Sequence, residues 1–283
     1  MSVGTTEPDR PTIVQLTDPM CTWCWGSEPI IRRVQTTLGE QVELNYVMGG
    51  LVEDFEEFYD PANDISSPGD VAPHWLEASA QHGMPVDTEI FETDPARSTY
   101  PASIAFTAAR QQDPDLANRY LRRLREAYAT EVRNVNRREE QISLAESVGL
   151  DVDAFTEALD DGTARTAFEE DLARTREAGV RAFPTYRIIG PAGGRQVAGF
   201  TPYEDLVGTL LEMAPSLEPT SPPPIQEFID EYGPVATREV AAVYQLDPGK
   251  ARQVLQSLVD EGNVIEDTRG NGSFWMTPTG GDD

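Results

Sequence analysis

A nine-residue run, residues 18–26 (Asp-Pro-Met-Cys-Thr-Trp-Cys-Trp-Gly), constrains this chain more than any other feature. It holds the only two cysteines of the sequence, Cys21 and Cys24. Residues 12–17 before it have the apolar, β-branched composition of a buried strand, and residues 28–38 after it have helical apolar spacing. The cysteines are therefore predicted at a strand-to-helix turn, where the helix N-terminus should lower the pKa of Cys21. A thiolate beside a second thiol is typical of thiol–disulfide exchange.

Two other interpretations of the cysteine pair are a structural disulfide and half of a zinc site. A structural zinc ion usually takes four ligands, so without further cysteines the site would need His74, His82 or carboxylates. Both histidines fall in a predicted helical segment, where we expect surface or packing residues. We therefore favour redox chemistry that requires no metal and no organic cofactor.

The predicted secondary structure places the cysteines at the edge of a sheet. Residues 42–48 alternate apolar and polar side chains, which predicts a second strand and a βαβ unit. The cysteines follow the carboxyl end of its first strand, where sites in open α/β sheets are favoured. An irregular acidic connector at residues 51–70 then leads into a helical region at about 71–178. The predicted helices are 71–82, 101–112, 115–130, 137–148, 152–159 and 163–178.

Strand character returns after this helical insertion. Residues 185–189 and 195–199 flank a glycine-rich turn, which predicts a β-hairpin. The motif at residues 201–204 (Thr-Pro-Tyr-Glu) has the arrangement of a capping box with proline at the first helical position. It predicts a helix that runs through Met213.

A compact C-terminal segment follows a proline-rich connector. Residues 214–224 contain five prolines and are predicted to be semi-rigid and extended. Beyond them the patterning predicts three helices and two strands, at 225–232, 237–244, 248–261, 263–267 and 272–276. Three helices and a terminal hairpin are typical of a winged helix-turn-helix. We therefore predict a first domain at 11–214, a linker at 215–224 and a winged-helix-like domain at 225–277.

The winged-helix interpretation makes DNA binding a hypothesis to weigh. The candidate contacts, on the predicted recognition helix and at the wing tip, are Lys250, Arg252, Gln253, Gln256 and Arg269. However, residues 225–283 carry eleven acidic and four basic side chains, a formal net charge of −7. DNA affinity depends largely on neutralising phosphates. Protein contact or intramolecular packing is therefore favoured over DNA binding.

The whole chain is strongly acidic. Its 49 acidic and 22 basic residues give a formal net charge of −27 and a pI near 4.3, and Lys250 is its only lysine. The acids are spread over the sequence, and molar salt screens charges beyond about 3 Å, so we interpret the acidity as adaptation to a very salty cytoplasm. Residues 1–10 lack the apolar core of a secretory signal, and no stretch approaches about 18 consecutive apolar residues. A cytoplasmic protein that does not bind a membrane is expected.

The nine-residue run resembles the motif of a known family. It is nearly identical to the DPMCxWCWG motif of the DsbA-like subfamily of predicted protein-disulfide isomerases and thiol oxidoreductases. The similarity extends through residues 100–102 (Tyr-Pro-Ala) and 124–149 to residues 183–185 (Phe-Pro-Thr), and covers roughly residues 11–214. It implies an α/β thioredoxin fold with a helical insertion, and it does not include the C-terminal segment.

The resemblance also implies roles for individual residues. Cys21 would be the attacking thiolate that forms a mixed disulfide, and Cys24 would resolve it. Pro184 would be a cis-proline facing the cysteines, and the backbone of Phe183 would pair with an extended substrate. The implied activity is that of a thiol–disulfide oxidoreductase or isomerase acting on proteins or on small thiols and disulfides.

Further residues near the cysteines are candidates for the site. Trp23 should tune the thiolate and contact substrate, whereas Trp25 is equally well explained as a core residue. Asp18 either carries a proton to or from Cys24 or makes a turn hydrogen bond ahead of Pro19.

Two other functions compete with this interpretation. A redox-sensing transcriptional regulator would read the state of the cysteine pair through the winged helix, without turnover. A fold relative that isomerises small molecules with glutathione is disfavoured, because such proteins often lack the second cysteine and this chain has both.

Overall fold

The computed structural model describes residues 10–61 and 63–278. No signal peptide is predicted in residues 1–10. Of these, only Arg10 belongs to the described residues. Among the helices described, none is long and apolar enough to span a membrane.

A mixed β-sheet forms the centre of residues 10–214, which we term the first unit. Its strands within the described residues are β1 (Thr12–Thr17), β2 (Glu43–Met48), β3 (Thr185–Gly190) and β4 (Gly193–Ala198). Their spatial order is β2-β1-β3-β4. β2 runs parallel to β1, whereas β3 is antiparallel to both β1 and β4. β1 is therefore an inner strand, and its carboxyl end leads directly into the cysteine run.

The helix predicted after the cysteines is divided in two. α1 (Thr22–Gly26) and α2 (Glu28–Leu38) are separated at Ser27, whose N–H donates to the carbonyl oxygen of Cys24 at 3.2 Å. Pro29 lies in the first turn of α2, where an N–H group has no partner inside the helix in any case. Proline is therefore tolerated there, and the cysteines lie on a short helix of their own.

Eight further α-helices lie in the described residues of the first unit. They are α3 (Val71–His82), α4 (Ile90–Thr93), α5 (Tyr100–Gln112), α6 (Pro114–Thr130), α7 (Arg138–Ser147), α8 (Val152–Asp160), α9 (Thr163–Glu177) and α10 (Tyr203–Met213). The capping box predicted before α10 is wrong. Pro202 is the N-cap residue, and the Thr201 hydroxyl donates to the carbonyl oxygen of Gly199 at 3.0 Å.

Apolar side chains cover both faces of the sheet. On one face α2 and α10 pack on β1 and β3, and this core includes Ile13, Ile31, Leu38, Ile188 and Leu210. On the other face α5, α6 and α9 surround a core that includes Met48, Phe106, Leu121, Leu124 and Phe168. Burying one such side chain contributes about 1.5–3 kcal/mol. The helical insertion therefore supplies one of the two layers that hold the sheet.

The described residues 225–278, which we term the C-terminal unit, have an apolar core of their own. Their elements are α11 (Ile225–Tyr232), β5 (Val235–Ala236), α12 (Thr237–Val243), α13 (Pro248–Asp260), β6 (Ile265–Arg269) and β7 (Gly272–Met276). In this part of the chain the strands form an antiparallel sheet in the order β5-β7-β6. Phe228, Leu255 and Trp275 are fully buried in the core. The winged-helix interpretation and the domain boundaries stay predictions.

The proline-rich connector is attached to both units. The N–H of Thr220 donates to the carbonyl oxygen of Thr37, at the end of α2, at 2.7 Å. Leu217 is 8% exposed and packs in the core beneath α2 and α10. The hydroxyl of Tyr244 donates to the carbonyl oxygen of Pro223 at 2.7 Å. The connector therefore lies along the protein surface instead of spanning open solvent.

The C-terminal unit packs directly on the cysteine motif. The ring of Phe274, in β7, stacks on the ring of Trp25, in α1, with 6.4 Å between centroids and 27° between planes. The guanidinium of Arg122, in α6, lies 4.7 Å from the Trp25 ring centre. The turn after β6 adds two hydrogen bonds. The N–H of Val86 donates to the side-chain Oδ1 of Asn271 at 2.8 Å, and the N–H of Asn271 donates to the carbonyl oxygen of Val86 at 3.1 Å. Trp25 is therefore a core residue of the contact between the units.

Two of the candidate DNA contacts are engaged inside the protein. Arg269 pairs with Glu126 and with Glu131 of the first unit, the latter at 2.7 Å. Arg252 pairs with Glu266 at 2.8 Å. The Arg269 pairs favour packing of the hairpin on the first unit, whereas the Arg252 side chain stays 52% exposed. DNA binding stays a prediction that we do not favour.

We expect Phe274→Ala to lower the free energy of unfolding by about 3–5 kcal/mol, because it empties a fully buried aromatic site between the units. Denaturant unfolding of the full chain measures this. Leu76→Ala is the control, since Leu76 is 48% exposed and should change stability by less than about 0.5 kcal/mol. Equal losses in the two variants would contradict the assignment of Phe274 to a shared core.

Candidate active site

The two cysteines lie at the start of α1 and differ in accessibility. Cys21 is the N-cap residue, with extended backbone angles, and its Sγ accepts the N–H of Cys24 at 3.4 Å. Both cysteines are free, with no disulfide between them. Cys21 is 6% exposed and Cys24 is fully buried. Cys21 is therefore the more exposed of the two thiols.

A hydrogen bond between the two thiol groups makes them unequal in acidity. Its hydrogen bond to Cys24, together with burial, raises the pKa of Cys21 well above its ordinary value. Burial opposes ionisation of Cys24, but the hydrogen bond from Cys21 and the charge of Arg125 outweigh it and lower the pKa of Cys24. The expectation of a lowered Cys21 pKa is therefore wrong for the reduced pair, in which Cys24 is the more acidic thiol.

A buried ion pair lies beneath Cys24. Arg125, in α6, is 1% exposed and donates to the Glu28 carboxylate and to the Thr17 hydroxyl. Burial opposes ionisation of Glu28, but the charges of Arg125 and Arg122 outweigh it and lower the pKa of that carboxyl. Sequence reasoning missed this pair, because Glu28 and Arg125 are 97 residues apart and no local pattern connects them.

Asp18 is occupied by structural hydrogen bonds. Its Oδ1 accepts the N–H of Met20 at 2.8 Å, and its Oδ2 accepts the N–H of Leu51 at 2.9 Å and the hydroxyl of Thr99 at 2.7 Å. Burial raises the pKa of Asp18 against the lowering effect of these bonds. The geometry favours the turn interpretation of Asp18, because both oxygens face the loop and α5 side of the motif.

The loop before β3 supplies the wall opposite the cysteines. The Phe183–Pro184 peptide bond is cis. The Cys21 Sγ lies 3.9 Å from the carbonyl oxygen of Phe183. The Phe183 ring lies over Gly49, where an added Cβ would be 2.0 Å from a ring carbon. Gly49 is thus required for Phe183 to reach the site, a contact that the sequence did not predict.

An apolar cavity of about 410 Å³ opens beside Cys21. Its lining includes Met20, Trp23, Phe55, Phe58, Trp75 and Phe183. Trp23 is half-buried, with its ring 5.7 Å from that of Phe200 and 5.8 Å from that of His82. The structure therefore brings Trp23 and Phe183 together with Cys21 in the lining of this cavity.

His82 packs against the back of the motif. Its side chain is 1% exposed, and a Cβ at Gly26 would lie 2.4 Å from the ring. Nδ1 accepts the N–H of Met84 at 3.0 Å, so Nε2 can donate to the Thr22 hydroxyl at 3.4 Å. Burial, with a smaller effect of Arg238, lowers the pKa of His82 to about 4. The ring is therefore neutral at pH 7, and the expectation of a packing role is confirmed.

His74, the other histidine considered as a possible metal ligand, lines the cavity and is partly exposed. In the portion of the chain that the structure describes, no cluster of three or more His, Cys, Asp or Glu side chains could hold a metal ion.

Comparison with known proteins identifies relatives of two kinds. Residues 15–207 match the family described as thioredoxin. A ClpXP adapter protein, SpxH, from Halalkalibacterium halodurans is 31% identical, in an alignment that covers 91% of this chain and 86% of the relative.

Solved structures share the fold of the first unit. A structure from Nitrosomonas europaea, classed with protein disulfide isomerases, has a TM-score of 0.61 at 19% identity and covers 73% of this chain and all of its own. The cytosolic disulfide reductase DsbM from Pseudomonas aeruginosa has a TM-score of 0.56 at 21% identity and covers 72% of this chain and all of its own. The predicted thioredoxin fold with a helical insertion is confirmed.

We expect the stability of the protein to fall as the pH falls from about 6.5 to about 4, in part through His82. The unfolded histidine binds a proton near pH 6.5, whereas the folded one resists it until about pH 4. Protons therefore favour the unfolded chain in this window. Urea unfolding at a series of pH values gives the free energy of unfolding as a function of pH. Between about pH 6.5 and about pH 4 this free energy should fall less steeply in His82→Gln than in the control His74→Gln. Equal slopes would contradict the buried, neutral state of His82.

Proposed function

Because this chain belongs to the thioredoxin family, we propose that it is a thiol–disulfide oxidoreductase that uses Cys21 as its exchanging thiol and Cys24 as its resolving thiol. One observation carries the proposal: Cys21 lies at the wall of an apolar cavity and is 6% exposed, while its partner Cys24 is fully buried behind it. Mixed-disulfide chemistry requires this arrangement, in which the outer thiol contacts the substrate and the inner thiol does not.

The first step is activation of the outer thiol. In the reduced pair Cys24, beside Arg125, is the more acidic thiol and ionises first. Transfer of the Cys21 proton to Cys24 along their shared hydrogen bond places the thiolate on Cys21. The Cys24 N–H, 3.4 Å from the Cys21 Sγ, then stabilises that thiolate.

Exchange follows in two displacements. The Cys21 thiolate attacks one sulfur of a substrate disulfide, forms a mixed disulfide and releases the other sulfur as a thiolate. Cys24 loses its proton to the released thiolate and attacks the Cys21 sulfur, which releases the second substrate thiolate and closes the Cys21–Cys24 disulfide. Two electrons pass to the substrate, and the reverse sequence oxidises a dithiol.

The surrounding residues suit a polypeptide substrate. The Phe183 carbonyl lies next to the reacting sulfur, so the backbone of an extended chain can pair with this loop. The aromatic cavity beside Cys21 accepts an apolar side chain that flanks the substrate cysteine. Phe183, Pro184 and Trp23 are therefore proposed as substrate-binding residues.

We expect Cys21→Ser to abolish dithiol-dependent reduction of insulin disulfides, because the accessible nucleophile is lost. Cys24→Ser should retain attack and accumulate the mixed disulfide, which non-reducing electrophoresis with mass spectrometry detects. Leu76→Ala is the control and should keep full turnover. Wild-type turnover in Cys21→Ser would refute the assignment.

A second candidate function is that of a protein adapter. The adapter from H. halodurans matches over 91% of this chain, so the similarity extends into the C-terminal unit, whereas the solved disulfide reductase covers 72%. We therefore also propose that the chain binds proteins for delivery to ClpXP. Immobilised full chain should retain purified ClpX, and Cys21→Ser should retain it equally well if delivery does not need exchange. Failure of the wild-type chain to retain ClpX would count against the adapter role.

A further inference from the structure

A buried row of alternating charges connects the cysteines to the C-terminal unit. Arg125, beside Cys24, binds the Glu28 carboxylate. The other Glu28 oxygen lies 3.5 Å from Arg122. Arg122 donates to both oxygens of Glu239, in α12, at 2.9 Å each. Buried charges are little screened by salt or water, so each member of the row affects its neighbours strongly.

Glu239 is built firmly into this position. It is fully buried, and its Oε2 accepts the N–H of Ala236 at 2.7 Å. Arg32 lies 3.7 Å from its Oε1. The C-terminal unit thus contributes a fixed carboxylate to a charge network whose far member, Arg125, acts on Cys24.

We propose that Glu239 is a positioning residue for the thiol chemistry of the first unit: through Arg122 and Glu28, it determines how strongly the Arg125 guanidinium acts on the Cys21–Cys24 pair. The inference deepens the proposed function and rests on it. It assigns to the C-terminal unit a role in setting the reactivity and reduction potential of the pair.

The network predicts the direction of each change. Glu28 is shared by two guanidinium groups, and Glu239 holds Arg122 towards the C-terminal unit. Without the Glu239 charge, Arg122 binds Glu28 more closely, Glu28 binds Arg125 less closely, and a negative charge is gone. All three effects stabilise a thiolate on the cysteine pair. Replacing Arg122 does the reverse, because it leaves Glu28 to Arg125 alone and removes a positive charge.

The ionisation of the pair also depends on groups that the test leaves in place. The titratable and charged side chains that act on the cysteines or on their ion pair, and that both variants keep, are Asp18, Glu28, Arg32, Tyr46, Arg125 and Tyr186.

The test compares Glu239→Gln with Arg122→Gln in the full, reduced chain. The rate of iodoacetamide alkylation against pH reports the ionisation of the pair without any turnover. We expect the thiolate-to-thiol ratio at fixed pH to rise about three- to tenfold in Glu239→Gln and to fall by a similar factor in Arg122→Gln. Equilibration with glutathione should show the disulfide of Glu239→Gln to be the more oxidising, because its reduced form is stabilised.

Glu131→Gln is the matched control. Glu131 also pairs across the contact between the units, with Arg269 at 2.7 Å, but it does not belong to the row that reaches Cys24. Its alkylation midpoint should equal that of wild type. Any of three results would overturn the proposal. The midpoint pH of alkylation is unchanged in Glu239→Gln, it shifts in the same direction in Glu239→Gln and Arg122→Gln, or it shifts equally in Glu239→Gln and Glu131→Gln.

Two further results keep the proposals separable. If Glu239→Gln is insoluble, Arg122→Gln alone tests the inference. An unchanged or higher thiolate-to-thiol ratio in Arg122→Gln, in place of the expected decrease, overturns it. If the wild-type chain shows no turnover while the two variants shift in opposite directions, the proposed activity fails and the role of Glu239 stands.

Discussion

The ion pair between Arg125 and Glu28 is the interaction on which the arrangement of the site depends. It joins three elements of the first unit, because Arg125 belongs to α6, Glu28 to α2, and the Thr17 hydroxyl that Arg125 also contacts ends β1. Removing one partner of a buried ion pair strands the other charge at a cost of about 3–5 kcal/mol. The helical insertion is therefore tied to the sheet at the point where the cysteines emerge.

A buried pair of this kind contributes little net stability, because desolvation offsets much of the attraction. Its importance here is electrostatic. It holds the Arg125 guanidinium next to Cys24, and the hydrogen bond from Cys21 together with this charge lowers the pKa of Cys24 despite full burial. A site that relied on the N-terminus of the five-residue helix α1 alone would lack this charge.

Local features of the structure followed from the sequence, whereas contacts between distant residues did not. The helix Val71–His82 and the strand Gly272–Met276 begin and end where periodicity and flanking glycines predict. The cysteine turn and the wall at Phe183 were also predicted, the latter through family resemblance.

Other features could not be predicted from the sequence. The two-residue strand β5 and the four-residue helix α4 are too short to show a period. The lowered pKa expected for Cys21 failed because a rule about helix ends did not include Cys24 as a hydrogen-bond partner. Arg125 and Glu239 could not be connected to the cysteines by any pattern of neighbouring residues.

The attachment of the proline-rich connector has a thermodynamic consequence. Since residues 214–224 are held to α2 at one end and to Tyr244 at the other, the C-terminal unit is kept at a high effective concentration beside the Trp25 surface. The contact between the units can therefore persist with a modest intrinsic affinity. Phe274 and Trp25 close a core to which both units contribute, so the two units should unfold as one cooperative body.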